Sequence, residues 1–211
     1  MLPLTLDLSR LRLALVGAGS AALRRLERLD AAGANAVAVY APSPSVALAA
    51  LAGRRLSART PSGDDLAGNH LVFIAGLGAD DTAVIARQAR AAGVIVHVED
   101  TPEASDIQLP AVLHRGDLIV AVSTSGRSPG LAVEIKRMLG RIIGPEWAAR
   151  LDAMEVARAR WRKAGFAPAA VRQRTGNWLA AHGWLATGTA LESHWIGGGA
   201  NDRTGRRIRQ G

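Results

Sequence analysis

The sequence predicts an α/β fold built on a parallel sheet, followed by a smaller, mainly helical region. Three observations carry this. Strand-length apolar runs alternate with helical patterns through the first two-thirds of the chain, which is the signature of strand–helix–strand units. The runs LALV, AVAVY and LVFIA are apolar throughout, and VIVHV is interrupted only by His97, as suits strands covered on both faces. All five Trp residues lie beyond residue 146, in a region whose pattern is helical.

Each element has its own signals. Leu13–Val16 reads as a short buried strand, followed by a Gly turn and a helix over Ala21–Ala32, with Gly33 at its C-terminus. Ala36–Tyr40 is the second strand, ended by Pro42. A helix over Ser45–Leu51 and a short strand over Leu56–Ala58 follow. Leu71–Ala75 is a third strong strand. Asp81–Ala92 is helical and closes at Gly93. Val94–Val98 and Leu118–Val122 are the fourth and fifth strong strands. Leu131, Val133, Ile135, Met138, Leu139, Ile142 and Ile143 make one broadly apolar helix. From Gly197 the chain has Gly, Arg and polar residues without apolar period, the composition of a disordered tail.

Composition removes several function classes. There is no Cys, so disulfides, thiolate nucleophiles and Cys-ligated metal sites are excluded. That suits a cytoplasmic protein. No run of about 18 apolar residues predicts a membrane span, and the apolar N-terminus lacks the basic region of a signal peptide. The net charge is +8, with Lys only at positions 136 and 163. Arg-rich coding bias explains such a balance as well as a polyanionic partner does. Among such partners, Arg suits carboxylates because its planar fork binds them in pairs of hydrogen bonds.

Four motifs carry chemistry. Gly17-x-Gly19-x-x-Ala22 follows a strand and opens a helix, the arrangement that brings pyrophosphate to bare backbone at a helix N-terminus. The second strand ends Val39-Tyr40-Ala41-Pro42, without the acid that usually binds the ribose, so that rule does not choose between NAD and NADP. Asp80 and Asp81 read as an N-cap pair for the next helix. Glu99 and Asp100 end a strand at the carboxyl edge of the sheet, where ligands of such sheets sit. A carboxylate there can serve as acid or base, and Asp before Thr101-Pro102 can equally initiate a turn. Ser123, Thr124, Ser125, Gly126 and Ser128 form a hydroxyl-rich loop ahead of Pro129, either a helix cap alone or also an anion cradle. His70, His97, His114, His182 and His194 lack metal-ligand spacing. Hydrolase and base-stacking motifs are absent.

Taken in order, these segments resemble the dehydrogenase/ferrochelatase module of siroheme synthase, the precorrin-2 dehydrogenase family. Leu2-Pro3-Leu4 matches its opening, and GAGSAALRR (Gly17–Arg25) its GGGxVAxRK turn. His97-Val98-Glu99-Asp100 stands where it has Asn-Val-Val-Asp, and Ile107–Ala111 where it has Phe-Ile-x-Pro-Ala. AVSTSGRSPGLA, residues 121–132, matches its AIST-x-G-x-SP-x-LA signature. The resemblance covers about residues 1–145. It implies a Rossmann-like sheet, oxidation of precorrin-2 to sirohydrochlorin by NAD, and in members that also chelate, insertion of ferrous ion, with cobalt as an alternative metal.

By the same resemblance Asp100 is the catalytic acid/base. Gly17, Gly19, Ser20, Ala21, Ala41 and Pro42 contact NAD. The Ser123–Ser128 loop and His97 are expected to meet the substrate, and a serine phosphorylated in some members falls on Thr124. The implied organisation is a nucleotide domain over 1–112, a dimerisation and tetrapyrrole-cleft segment over 113–145, a helical module over 146–196 and a tail over 197–211. The implied partners are the polycarboxylate tetrapyrrole and a second copy of the chain, with neither nucleic acid nor membrane. The sequence departs from the family where AATDD is replaced by Ala75–Asp81, AGLGADD, and at His97 and Glu99. The altered loop motivates an alternative, a non-catalytic tetrapyrrole carrier or nucleotide sensor on the same scaffold.

Overall fold

A computed structural model of the chain describes residues 2–184; the expected tail, His194 and Trp195 lie outside them. Strands β1 (Arg12–Gly17), β2 (Ala36–Tyr40), β3 (Leu56–Ser57), β4 (Leu71–Ala75) and β5 (Ile95–Val98) form one sheet in the order β3-β2-β1-β4-β5. Every pairing is parallel. Leu13 stands between Val37 and Leu71, and Gly17 pairs with Ala75 at the carboxyl edge.

The helices cover both faces. On one face α1 (Gly19–Ala31) and α2 (Val46–Ala52) pack Leu26, Leu29 and Leu48 against Leu13, Leu15, Val39 and Phe73. On the other, α3 (Gly63–Leu66) and α4 (Ala79–Ala91) pack Leu66, Ile85 and Ala89 against Val16, Val72, Ile74 and Val96. Burial on both sides explains the continuous apolar runs, each fully buried Leu, Ile or Val contributing about 1.5–3 kcal/mol. The strand order reverses direction between β1 and β4, which puts a crevice at their carboxyl ends.

Leu118–Val122 departs from expectation. It is strand β7, paired with β6 (Ala111–Arg115) in a separate two-stranded hairpin. Its burial alternates between half-buried and exposed residues, which suits a sheet covered on one face only. Helix α5 (Pro129–Ile142) follows, with Ala132 its one buried residue. Then come α6 (Trp147–Lys163) and α7 (Pro168–Ala181). The chain divides into two compact units. Among the described residues, one comprises residues 2–113 with Val120–Gly140; the other comprises His114–Ile119 and residues 141–184.

Candidate functional site

The site begins where β1 meets α1. Gly17 has no room for a side chain: a Cβ there would collide with the Ala75 carbonyl oxygen and lie 2.9 Å from the Ala22 Cβ. The small Ala22 is therefore what lets α1 approach the strand. Gly76 has φ +72, and a Cβ on it would collide with the Ala18 carbonyl. Ala18 donates its N–H to Ala75 O at 3.0 Å. The loops after β1 and β4 are thus pressed together at the crevice, and both need glycine there.

Helix α1 has no side-chain cap; Ala18, extended, is its N-cap. Among the described residues the N–H groups of Gly19, Ser20 and Ala21 have no acceptor. A Cβ at Gly19 would meet nothing within 4 Å, so bare backbone faces open space. Uncapped amides at a helix N-terminus are a receptor for phosphate oxygens. Ala41 is buried and Pro42 exposed at the end of β2. The six residues expected to contact the nucleotide therefore lie along one carboxyl edge.

Glu99 and Asp100 do not act as a pair. The side chain of Glu99 turns to Arg25 of α1, which donates to its Oε2 from Nε at 2.9 Å and also from Nη2. Arg25 is 6% exposed and lies over the Phe73 ring, 5.3 Å from its centroid. Arg28 stands 4.0 Å from the other Glu99 oxygen. Asp100 is exposed, with φ +58, and among the described residues its carboxylate has no hydrogen bond or ion pair. Asp tolerates this left-handed conformation better than most residues. The Ser105 hydroxyl accepts from Val98 N–H at 2.9 Å and lies within 3.1 Å of the Val98 and Thr101 carbonyls. It staples the turn that carries Asp100.

His97 is buried. Its Nδ1 lies 3.3 Å from Ile107 O, its ring meets Phe73 edge-on, and Nε2 is 4.0 Å from Glu99. Burial pushes its pKa below the ordinary value of 6.5, opposed by the Ile107 carbonyl and by Glu99 and Asp100, and assisted by Arg25. The imidazole is neutral at physiological pH and packs beneath the Asp100 turn.

The Ser123–Ser128 loop is self-bonded. Thr124 Oγ1 donates to Ser128 O at 2.9 Å and accepts from Ser128 N–H at 3.1 Å. Ser123 Oγ accepts from Ser125 N–H at 3.1 Å, and Ser125 has φ +53. Ser128 Oγ faces Leu131 N–H at 3.4 Å, so the expected cap on α5 is present. Gln108 lies against Gly126, while its neighbour Ile107 holds His97. The loop therefore abuts the segment that follows the Asp100 turn. Asp80 and Asp81 are not caps; Gly78 is, and they occupy the first turn of α4, where negative charge still suits the helix dipole.

Sequence reasoning missed Arg25, Gly76 and Ser105. Arg25 was findable. It falls on the apolar stripe Ala22, Leu26, Leu29 of α1, and an Arg on a buried stripe requires a carboxylate partner.

Residues 4–111, just over half of the chain, match the family described as "Putative NAD(P)-binding". The chain belongs to that family. Within and beyond the matched region it is similar to siroheme synthases. It is 39% identical over 141 residues to that of Methylococcus capsulatus, covering 64% of this chain and 29% of the relative. It is 37% identical over 180 residues to that of Pseudomonas putida strain W619, covering 84% of this chain and 38% of the relative. The chain thus spans about a third of the length of these relatives. Its fold is similar to that of a solved structure described as SirC, precorrin-2 dehydrogenase, with a TM-score of 0.67 over 93% of this chain and 97% of that one, at 21% identity. Family membership agrees with the uncapped amides of α1 and the paired glycine loops.

Proposed function

We propose that this chain oxidises precorrin-2 to sirohydrochlorin with NAD as hydride acceptor. The observation that carries the proposal is the juxtaposition of two features on one sheet edge: a nucleotide cradle built on bare backbone, and a solvent-facing carboxylate, Asp100, held in a stapled turn without a partner. Similarity to siroheme synthases and to the precorrin-2 dehydrogenase fold supports the substrate.

The residues fit the cofactor. Gly19, Ser20 and Ala21 would offer N–H groups to its pyrophosphate, and Gly17 keeps α1 close enough to do so. Ala41 and Pro42 would lie beside the adenosine half. When bound, NAD supplies the hydride acceptor, and this chain supplies the acid/base. In the two-electron step a ring C–H bond breaks, its hydrogen leaves with the electron pair as hydride, and one proton leaves the macrocycle. Asp100 takes that proton and returns it to solvent. Buried Arg25 neutralises Glu99, so that Asp100 is the one carboxylate of the pair left to react. The Ser123–Ser128 loop, with its free edge beside Gln108, would hold a carboxylate arm; His97, buried and neutral, would support the turn from beneath.

A metal ion in this chemistry is a substrate, held by the tetrapyrrole nitrogens. Chelation of ferrous ion would use Asp100 as the proton acceptor for the pyrrole N–H groups. The exposed Leu131, Met138 and Ile142 of α5 support the segment 113–145 as the surface for a second copy. The test is purified protein with precorrin-2, with and without NAD. Sirohydrochlorin should form only with NAD. Bound tetrapyrrole without turnover would instead favour the carrier.

A further inference from the structure

An open groove of about 470 Å³ lies between α4 and the segment after β5, with Gly76 and Ala104 among its lining residues. Glu99 and Thr101, the two neighbours of Asp100, form one wall; Thr82, Arg87 and Arg90 of α4 form the other. The volume is in the lower range for ligand pockets, about 300–1,000 Å³, so it suits one arm of a large ligand rather than the whole macrocycle.

The charges on its walls are unequally spent. The negative charge of Glu99 is taken by Arg25 from the α1 side. The positive charge of Arg90 is taken beside Ala104, where its Nε donates to Asp106 at 2.9 Å and its Nη2 to the Ala104 carbonyl at 2.6 Å. Arg87 is exposed and, among the described residues, has neither hydrogen bond nor ion pair. What remains is one uncompensated guanidinium on a groove whose wall includes both chain neighbours of Asp100. Thr82 and Thr101 add hydroxyl groups to the same walls.

We infer that this groove receives a carboxylate arm of the polycarboxylate ligand, with Arg87 as its anchor. The inference rests on the proposed function for the identity of the ligand. A guanidinium binds a carboxylate through two parallel hydrogen bonds. The arm's position would fix which edge of the macrocycle faces Asp100, so Arg87 is a binding and orienting residue and takes no part in proton transfer.

The test is a set of variants on an exposed helix position, where folding is not at stake: Arg87→Ala, Arg87→Lys and Arg87→Glu. Sirohydrochlorin binding is titrated by absorbance, NAD binding by calorimetry, and turnover by NADH formation. Arg87→Ala should weaken sirohydrochlorin about 5- to 30-fold and raise KM for precorrin-2, with NAD affinity within twofold of wild type. Arg87→Glu should weaken it further, and Arg87→Lys should recover part of the loss. Sirohydrochlorin binding within twofold of wild type in Arg87→Ala would overturn the inference. So would a loss confined to NAD, which would assign the groove to the nucleotide. Wild-type protein that binds no sirohydrochlorin would sink the functional reading itself, a result distinct from either.

Discussion

The pair Arg25–Glu99 gives a stability prediction that can be worked from its geometry. Glu99→Gln leaves the Arg25 guanidinium, on a residue 6% exposed, without its counter-charge. Breaking a fully buried pair costs about 3–5 kcal/mol. Here Glu99 is 23% exposed, so water reaches the pair, and the Gln carbonyl keeps one hydrogen bond. The expected cost is therefore lower, about 2–3 kcal/mol. That corresponds to a fall in Tm of about 5–10 °C for a chain of this size. Far-UV circular dichroism is the assay, because all five Trp residues lie beyond residue 146 and would not report on the sheet. The double variant Arg25→Met/Glu99→Val replaces the ions with apolar groups and should return to within about 1 kcal/mol of wild type. A Tm for Glu99→Gln within 2 °C of wild type would refute the buried pair; equal losses in the single and double variants would refute its coupling.

Three further outcomes are expected. Gly17→Ala should destabilise by about 1–3 kcal/mol, the usual cost of overpacking, and abolish NAD binding, since the Ala75 backbone cannot yield without moving β4 from β1; calorimetry checks the binding. His97 has a depressed pKa in the folded state, so below pH 6.5 the unfolded chain binds the extra proton first. Its contribution is complete above about pH 6.5 and is lost as pH falls from there through the folded value. Urea titrations between pH 5 and 7 should show that slope, and His97→Gln should flatten it. Leu131→Glu/Met138→Glu should convert a homodimer to a monomer in light scattering, whereas an unchanged mass would remove α5 from the interface.

Much of the fold was legible because its strands are buried on both faces. Ala36–Tyr40 and Leu71–Ala75 have the bounds their apolar runs predict. Leu118–Val122 has the same composition, yet pairs in a hairpin and is only half-buried, because an apolar run marks a strand and names neither its neighbour nor what covers it. Its partner Ala111–Arg115 carries His and Arg and gives an apolar run of only three residues. The bare-backbone turn at Gly17 and Gly19 was legible from spacing. The separation of Glu99 from Asp100 was not, because it depends on Arg25, 74 residues away along the chain. The loop AGLGADD read as a departure from a family pattern. The structure gives part of it a purpose, since Gly76 is the residue that lets the β4 loop touch Ala18.

The central claim is that Asp100 and NAD act in one oxidation on this edge of the sheet. The direct measurement is the stoichiometry of NADH to sirohydrochlorin formed from precorrin-2, in wild type and in Asp100→Asn. Asn also tolerates the φ of +58 at this position, so the fold is retained. The account predicts one NADH per sirohydrochlorin in wild type. In Asp100→Asn it predicts a rate lower by about 10²–10⁴-fold, the range for a lost general acid/base, with both ligands still bound. Sirohydrochlorin formed without NADH, or at an unchanged rate by Asp100→Asn, would contradict it.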